Sequence, residues 1–449
     1  MSHRNITLLS AVLLAFCGAR CFGQARPYVP PEMQVTRYGN SWTRSPVENG
    51  KLIYSDGNTK VILRLNPSIS LEIAPVKGGP GIASSGSLWT VKTGDKVLTS
   101  EDFEGVPVET YGPVTTIEIG DRLGLGLQGI LSITMTDLHR LGMQLDLSAT
   151  GRRRARIDFP TISGMRSKTG DLSYCMPRRE SVIDSIPVDL QAPYCKTMPL
   201  QFTDVYGANG GIYLMDADRR PVYRSLHLIK DVKGIALAVE YPEQEIGPGT
   251  GFRSAAVTIG FHAGDWHTAL EAYKVWGSIW FKPDPEKSPC DDADIPDAFT
   301  PAHLDMARFA YPSARIIATG PAKWAFFNGE GFGPESVDDA ESVAKMRDVM
   351  KTYDDCFASR APVPLIPTGH KMVFANQFPG NRRILWTLFN ANNSTVHGEL
   401  LAVRHTSGAK YLDAWTGRPI KPRIAKDIAY LNLELGPHTI GCIVKESHR

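Results

Sequence analysis

One carboxylate stands out in the sequence for its chemical setting. Glu330 follows the apolar run of residues 324–327 and lies among Asn328, Gly329 and Gly331. The run is interpreted as a β-strand, and a strand end flanked by glycines lets a ligand approach the backbone closely. Glu330 is therefore the candidate catalytic residue, and Asn328 is a candidate substrate-binding residue. Asn-Gly and Glu-Gly pairs are also ordinary turn chemistry, so a structural role stays open.

A second candidate site lies in an aromatic segment. Asp204 could hydrogen-bond a hydroxyl of a ligand, while the rings of Phe202 and Tyr206 offer apolar faces to its C–H surfaces. Asp204 and Tyr206 are therefore candidate substrate-binding residues. The alternative is that Asp204 only orders the turn that follows it.

Two other pairs of polar residues are expected to be structural. Asp216 and Asp218 lie two positions apart and would face the same side of a strand. Two exposed acids at a strand end are a commoner arrangement than a paired-carboxylate site. Asp265 is expected to cap a helix, with His267 in the first turn.

The charge balance argues against one class of partner. The 449 residues include 49 Lys and Arg against 47 Asp and Glu, a formal net charge of +2. Sequence-independent binding to phosphates needs a concentrated positive excess. The only dense basic run, residues 152–156, is short and is expected at a solvated strand edge or turn. No nucleic-acid partner is predicted.

The N-terminal residues have the pattern of a signal peptide. Arg4 precedes an apolar run at residues 6–16, which is short for a bilayer span, and small residues at 23–25 suit cleavage. Residues 1–25 are therefore predicted to be a signal peptide, and the mature chain to be secreted or periplasmic. No later run approaches the roughly 20 apolar residues of a membrane span. The sequence gives no oligomeric state.

The cysteines and acidic residues indicate no metal site. Five cysteines lie outside the predicted signal peptide, at wide spacing, unlike the close pairs of a zinc site. Cys175 and Cys195, each preceded by Tyr, are the one candidate disulfide, with buried thiols as the alternative. The acidic residues 291–297 lack the alternation and central glycine of a calcium loop. The glycine pattern at 124–129 lies within a strand pattern, not at a nucleotide-binding turn. No metal ligand and no cofactor are predicted.

Hydrophobic periodicity predicts a mainly β chain. From about residue 37 to 264 nearly every segment alternates apolar and polar residues, with turn residues between segments. This pattern predicts a large antiparallel β-sandwich domain over residues 26–264, which the resemblance described below implies to be a β-supersandwich. Residues 265–282 are predicted to form an amphipathic connecting helix with an aromatic stripe facing the core. Residues 283–302 are acidic and Pro-rich, which is typical of a linker.

The rest of the chain is predicted to hold a short α/β segment and a second sandwich. Residues 315–318 and 324–327 are possible strands, and a helix is expected from Ser336, its candidate N-cap, to about residue 358. The α/β segment covers residues 303–367. Short strands then return, which predicts a small C-terminal β-sandwich over residues 368–449.

Several short motifs occur in order along the chain: QFTDVY (201–206) followed by GIYL (211–214), GDWH (264–267) with Trp276 and Trp280, FNGEG (327–331), PLIPT (364–368), FAN (374–376), DAWTG (413–417) and GCIV (441–444). Their order, together with the order of the predicted domains, resembles that of a bacterial glycoside-hydrolase-like family related to the α-galactosidase-type clan. That family has a β-supersandwich of the galactose mutarotase-like type, a (β/α)8 barrel and a terminal β-sandwich.

The sequence departs from this family in the middle of the chain. About 90 residues separate Trp280 from the strand near residue 372, whereas a (β/α)8 barrel takes about 250. Residues 303–367 are therefore interpreted as a truncated barrel remnant. Most glycoside hydrolysis uses two carboxyl groups, which barrel enzymes carry at their strand ends. The resemblance consequently transfers no catalytic pair to this chain.

The resemblance implies a secreted carbohydrate-active protein of glycoside-hydrolase type, with an oligosaccharide or polysaccharide as ligand. Activity would be O-glycosyl hydrolysis, and the truncated barrel leaves open whether the protein is an enzyme. One alternative is a non-catalytic glycan-binding or scaffold protein. Another is a deletion product without independent function, which would expose the apolar surface that the missing strands normally cover.

Overall fold

The computed structural model describes residues 42–76, 78–136, 140–177, 182–194, 200–218, 223–280, 304–312, 317–318, 321–333 and 339–447. These residues form two compact units, an N-terminal unit of residues 42–312 and a C-terminal unit that starts at Ile317. The predicted signal peptide and the predicted linker lie outside the described residues and stay predictions.

The N-terminal unit is built from twenty-one described strands. In chain order they are β1 (Thr43–Arg44), β2 (Lys51–Ser55), β3 (Thr59–Arg64), β4 (Ser70–Pro75), β5 (Ile82–Gly86), β6 (Thr90–Thr93), β7 (Lys96–Thr99), β8 (Phe103–Tyr111), β9 (Val114–Asp121), β10 (Leu127–Thr136), β11 (Arg140–Ala149), β12 (Arg153–Ser167), β13 (Ser173–Met176), β14 (Val182–Asp184), β15 (Val188–Tyr194), β16 (Phe202–Gly207), β17 (Gly210–Asp216), β18 (Arg224–Asp231), β19 (Gly234–Ile246), β20 (Phe252–Arg253) and β21 (Val257–His262). A 3-10 turn, Ser100–Asp102, joins β7 to β8.

These strands form two antiparallel sheets. The first sheet has the order β1-β2-β3-β4-β5-β12-β19-β18-β15, with β6 paired to β12 and to β7. The second sheet has the order β14-β13-β16-β17-β21-β11-β10-β9-β8, with β20 paired to β11.

One hydrophobic core joins the two sheets. Strand β11 shows how the sequence forms this core, because its residues alternate strictly between half-buried and buried. Its apolar residues from Leu141 to Leu147 join a core that also contains Leu63 and Leu71 of the first sheet. The period-two pattern of β11 places one of its faces in this core and leaves the other face outward, whereas β17 and β21 are buried on both faces. The predicted large antiparallel β architecture is confirmed.

The described part of the N-terminal unit also contains two helices, α1 (Trp266–Trp280) and α2 (Met306–Ala310). Helix α1 packs on the second sheet through β16, and the ring centroids of Tyr273 and Phe202 lie 5.5 Å apart. Trp266, Leu270 and Tyr273 are buried, so the aromatic stripe contributes to packing as predicted. Asp265 caps the helix, because its Oδ1 accepts a hydrogen bond from the His267 amide at 3.1 Å.

The C-terminal unit begins with a short α/β segment. Its elements are β22 (Ile317–Ala318), α3 (Ala322–Asn328), β23 (Gly331–Phe332), α4 (Ala340–Thr352) and α5 (Asp354–Phe357). Strands β22 and β23 pair in parallel. The interpretation of residues 303–367 as a truncated barrel remnant stays a prediction.

The C-terminal sandwich follows. Its strands are β24 (Val373–Pro379), β25 (Arg383–Asn390), β26 (Val396–Arg404), β27 (Lys410–Asp413), β28 (Arg418–Ile420), β29 (Arg423–Ala425), β30 (Ile428–Leu435) and β31 (Ile440–Glu446). A five-stranded sheet, β24-β25-β31-β27-β28, and a three-stranded sheet, β26-β30-β29, share a separate core that includes Leu388, Leu401 and Leu431.

Two local expectations need correction. Residues 324–327 lie in helix α3 and not in a strand, because Pro321 opens the segment and Gly329 closes it in the left-handed conformation at φ +71°. Short apolar runs fit a helix or a strand equally well by periodicity. Helix α4 begins at Ala340 with Asp339 as its N-cap, since the Asp339 side chain accepts from the Ser342 amide. The expected cap, Ser336, lies outside the described residues.

No helix in the described parts of the chain combines the length and apolar character needed to cross a membrane.

Candidate functional site

Asp204 lies within strand β16, beneath helix α1, and is completely buried. Its Oδ1 is 2.9 Å from Nε2 of His262, whereas its Oδ2 has no hydrogen-bond partner among the described residues. Burial raises the pKa of the Asp204 carboxyl, because desolvation disfavours the charged form. Burial would lower the pKa of His262, but the adjacent Asp204 outweighs it and raises that pKa. The two side chains stabilise each other inside the protein.

Glycines make room for this pair. A Cβ at Gly211 would overlap the His262 ring, and a Cβ at Gly260 would overlap the Tyr213 ring. Both positions therefore require glycine because of close approach. Asp204 is thus part of the tight packing between helix α1 and the second sheet. The sequence predicts instead that Asp204 binds a ligand or orders the turn that follows it.

The other predicted residues near Asp204 are also largely enclosed. Tyr206 is half-buried on the same strand, and burial of its hydroxyl raises its pKa well above the ordinary value. Cys175 lies opposite Asp204 on β13, and burial raises the pKa of its thiol. Its candidate disulfide partner, Cys195, lies outside the described residues, so that pairing stays a prediction.

Asp216 and Asp218 were expected to be exposed, and the structure corrects this expectation. They are 1% and 8% exposed. Arg224, which is 1% exposed, forms an ion pair with Asp216, and the Asp218 amide donates to Oδ1 of Asp216 at 3.0 Å. A buried charge needs such a partner. Strand β18 supplies Arg224, and the local spacing of the two acids gives no sign of it.

Glu330 and Asn328 lie together at the end of helix α3, in the C-terminal unit. They are 4% and 2% exposed. Nδ2 of Asn328 donates to the Trp324 carbonyl at 3.0 Å, and the Glu330 amide donates to the Ala325 carbonyl at 2.8 Å. These bonds close the helix end. The two residues thus occupy a helix terminus, and the strand-end setting that motivated their assignment is absent.

The segment just before Glu330 is fixed to the C-terminal sandwich. The Phe327 carbonyl accepts hydrogen bonds from Asn376 at 2.9 Å and from Thr387 at 2.6 Å. A Cβ at Gly329 would overlap the ring of Phe378. This segment is consequently held in place by packing. The functional roles predicted for Glu330 and Asn328 stay predictions.

A group of polar residues that sequence reasoning missed converges on the outward face of the first sheet. Asp158 on β12 lies directly opposite Glu240 on β19, and the register shifts on both sides of this pair. Bulges of this kind re-aim side chains and are frequent beside active sites. We call the following residues the charged cluster: Lys92, Arg156, Asp158, Asp189, Gln191, His227 and Glu240.

Glu240 is the best-connected member of the charged cluster. Its Oε2 is 2.7 Å from Nη2 of Arg156, and its Oε1 is 2.7 Å from Nδ1 of His227. Gln191 also donates to Oε2. The other ring nitrogen of His227, Nε2, is 2.7 Å from Oδ1 of Asp189. His227 is therefore held in one orientation between two carboxylates.

Asp158 is less well compensated. Its Oδ2 accepts from Nζ of Lys92 at 3.3 Å, and its Oδ1 is 3.7 Å from Nε of Arg156 without a hydrogen-bond partner in the described residues. Burial raises the pKa of Asp158, and the neighbouring Glu240 charge adds to this effect. Burial also works against ionisation of Glu240, but the hydrogen bond and charge of His227 and the charge of Arg156 outweigh it and lower the pKa of Glu240.

The charged cluster thus contains two facing carboxyl groups, and the pKa of Asp158 is raised whereas the pKa of Glu240 is lowered. Environments that separate two carboxyl pKa values are typical of acid and base partners. Arg156 and Lys92 keep 42% and 44% of their side-chain surface exposed, so the cluster meets solvent. Alternation of Arg154, Arg156 and Asp158 along β12 is the one signal that sequence reasoning could have used. The partners lie on strands far along the chain.

Comparison with known proteins gives structural likenesses only. The sequence matches no family model and no curated protein. The GH36 α-galactosidase AgaB from Geobacillus stearothermophilus is 8% identical, with a TM-score of 0.47 and coverage of 91% of this chain and 100% of that one. The α-galactosidase from Lactobacillus brevis is 8% identical, with a TM-score of 0.45 and coverage of 91% and 99%. A GalM/aldose epimerase homologue from C. elegans is 8% identical, with a TM-score of 0.32 and coverage of 51% and 100%. The sheets described above, and not these likenesses, establish the fold class.

Proposed function

We propose that this protein is a secreted carbohydrate-active protein that acts on or binds an oligosaccharide or polysaccharide at the charged cluster. One observation carries the proposal. Asp158 and Glu240 face each other in register on adjacent strands, and their surroundings move their pKa values in opposite directions. The family resemblance of the motif order supports carbohydrate as the ligand.

The chemistry of the pair suits an acetal substrate. The raised pKa of Asp158 favours its protonated form, which can donate a proton to a leaving oxygen. The lowered pKa of Glu240 favours its ionised form, which can accept a hydrogen bond from an attacking water. Hydrolysis of a glycosidic bond uses two carboxyl groups in these two states. Arg156 and Gln191 add donors for sugar hydroxyls.

Glycan binding without hydrolysis is the second candidate function. Arg156 contacts Glu240 at 2.7 Å and approaches Asp158 at 3.7 Å, so one guanidinium lies between the two carboxyl groups. A ligand that replaces or bridges the contacts of Arg156 with Glu240 and Asp158 would be bound by charge-assisted hydrogen bonds. Such a ligand needs no bond cleavage.

The test combines sugar release with sugar binding. We expect Glu240→Gln and Asp158→Asn each to lower reducing-sugar release from an oligosaccharide and polysaccharide panel by at least tenfold. Glu245→Gln is the matched control, because Glu245 lies on the same strand in a largely exposed pair with Arg152. Glu330→Gln tests the residue that the sequence favoured.

The outcomes separate the two candidates. Release that is lost in the Asp158 and Glu240 variants but kept in Glu245→Gln supports catalysis at the charged cluster. Binding that weakens in the same variants, with no release by the parent protein, supports the binding function. Release that depends on Glu330 alone would refute the assignment to the charged cluster.

A further inference from the structure

The second sheet carries an open groove on its outward face, whereas the charged cluster lies on the first sheet. The groove has a volume of about 650 Å³. This volume is within the range of about 300–1,000 Å³ that is typical of small-molecule sites. Residues of β9, β10, β11 and β20 line it: Glu118, Gln128, Ile130, Asp146, Ser148 and Arg253.

The strand register explains why these side chains share one surface. Glu118 lies opposite Ile130, Ile130 opposite Asp146, and Asp146 opposite Arg253. They form a row that crosses four strands on the face turned away from the core. Gln128 and Ser148 are paired in the next row.

The polar groups of the groove supply both donors and acceptors. Arg253 forms two parallel contacts with Asp146, Nε to Oδ1 at 2.7 Å and Nη2 to Oδ2 at 3.1 Å. This arrangement fixes both side chains, while the Arg253 side chain remains 59% exposed. Glu118 and Gln128 are exposed, and Ser148 is half-buried. Hydroxyl groups can both donate to carboxylates and accept from guanidinium and amide groups.

The floor of the groove is low and partly apolar. Ile130 is 39% exposed at its centre. An exposed aliphatic side chain among hydrogen-bonding groups suits a ligand with C–H surfaces between hydroxyls.

We infer that this groove is a second ligand site, and that it binds a chain of neutral sugar residues. Its two carboxylates and one guanidinium disfavour a polyanion, and its donors and acceptors suit hydroxyls. The choice of a sugar as ligand rests on the proposed function, whereas the location of the groove does not. The site lies on the second sheet and the charged cluster on the first, so the two can be tested separately.

The test uses the full chain and affinity gel electrophoresis. The neutral probes are galactomannan, xylan and soluble starch, and polygalacturonate is the acidic comparison. We expect retardation by at least one neutral glycan, and at least tenfold weaker binding in Ser148→Trp, whose ring would fill the groove. Gln128→Ala should weaken binding less, by about threefold, because it removes one set of hydrogen bonds.

Thr134→Trp is the matched control, because Thr134 faces the same side of β10 but lies outside the groove. It should bind as the parent protein does. Circular dichroism checks that each variant folds. Retardation that remains in Asp158→Asn or Glu240→Gln reports on the groove, and adding Ser148→Trp to either variant should abolish it.

Several results would overturn the inference. These are the absence of retardation by every neutral glycan, a stronger response to polygalacturonate, or equal binding by folded Ser148→Trp. Loss of retardation only in the Asp158 and Glu240 variants would leave the proposed function standing and refute the second site.

Discussion

At the scale of single residues, the surroundings of a buried carboxylate decide whether it can act. Asp204 and Asp216 are almost wholly buried, and each is paired with a buried basic side chain. Asp158 and Glu240 are each 7% exposed, but their partners Lys92 and Arg156 are partly exposed to solvent. Position in the fold, and not the type of residue, distinguishes a structural carboxylate from a candidate for chemistry.

His227 gives a prediction about pH. Its pKa is raised, first by the hydrogen bond to Glu240 and then by the contact with Asp189. A raised pKa in the folded state means that this contribution to stability is full below the unfolded value of about 6.5 and is lost as pH rises through the folded pKa.

We therefore expect His227→Gln to lower the free energy of unfolding by about 1 kcal/mol at pH 5.5 and by little at pH 9. Urea unfolding at both pH values measures the difference. His405→Gln is the control on the C-terminal sandwich. A loss of unfolding free energy in His227→Gln that is larger at pH 9 than at pH 5.5 would contradict the pairing of His227 with Glu240 and Asp189.

At the scale of elements, the helix α1 is fixed by its buried face. Tyr273 is 1% exposed, contacts Phe202 and accepts or donates a hydrogen bond with the Tyr311 hydroxyl at 2.8 Å. Val275, on the same helix, is 57% exposed. The helix thus has one face that packs and one face that does not, as amphipathic spacing predicts.

Removing the buried ring should therefore be costly. We expect Tyr273→Ala to lower the free energy of unfolding by about 3–5 kcal/mol, because it leaves a cavity under the helix. Val275→Ala should change it by less than about 0.5 kcal/mol. Chemical denaturation monitored by circular dichroism measures both. Equal effects of the two substitutions would show that the helix does not pack as described.

At the scale of the whole molecule, the described residues of the two compact units contain separate cores. Leu145 belongs to the core between the large sheets, and Leu431 belongs to the core of the C-terminal sandwich. The two compact units divide at Ile317, whereas the sequence predicts boundaries at residues 264, 282, 302 and 367. These finer boundaries stay predictions.

Separate cores predict separable unfolding. We expect Leu145→Ala and Leu431→Ala each to destabilise one unit by about 2–5 kcal/mol, since both side chains are fully buried. Differential scanning calorimetry should show two transitions, each variant shifting a different one. A single transition that both variants shift equally would show instead that the two units unfold together.

The sequence by itself determined the mainly β fold class and the inward faces of the strands. Alternation with a period of two depends only on neighbouring residues, so segments such as 60–65 and 143–147 identify their strands and inward faces. The aromatic stripe of α1 and its Asp265 cap are local signals of the same kind. Arg152 and Arg154 of the basic run are exposed and pair with Glu245 and Glu243, as expected for a solvated strand, whereas Arg156 of the same run contacts the buried Glu240.

Only the tertiary structure decided which polar residues meet. Asp158 and Glu240 are 82 positions apart in sequence, and they are neighbours because β12 pairs with β19 in one register. Arg224 on β18 of the first sheet reaches Asp216 on β17 of the second sheet, and this contact between the sheets makes a buried acid acceptable. The segment before Glu330 is a helix because Pro321 begins it, Gly329 ends it, and the C-terminal sandwich packs on it. Local pattern fixes the faces of strands, whereas long-range register fixes the site.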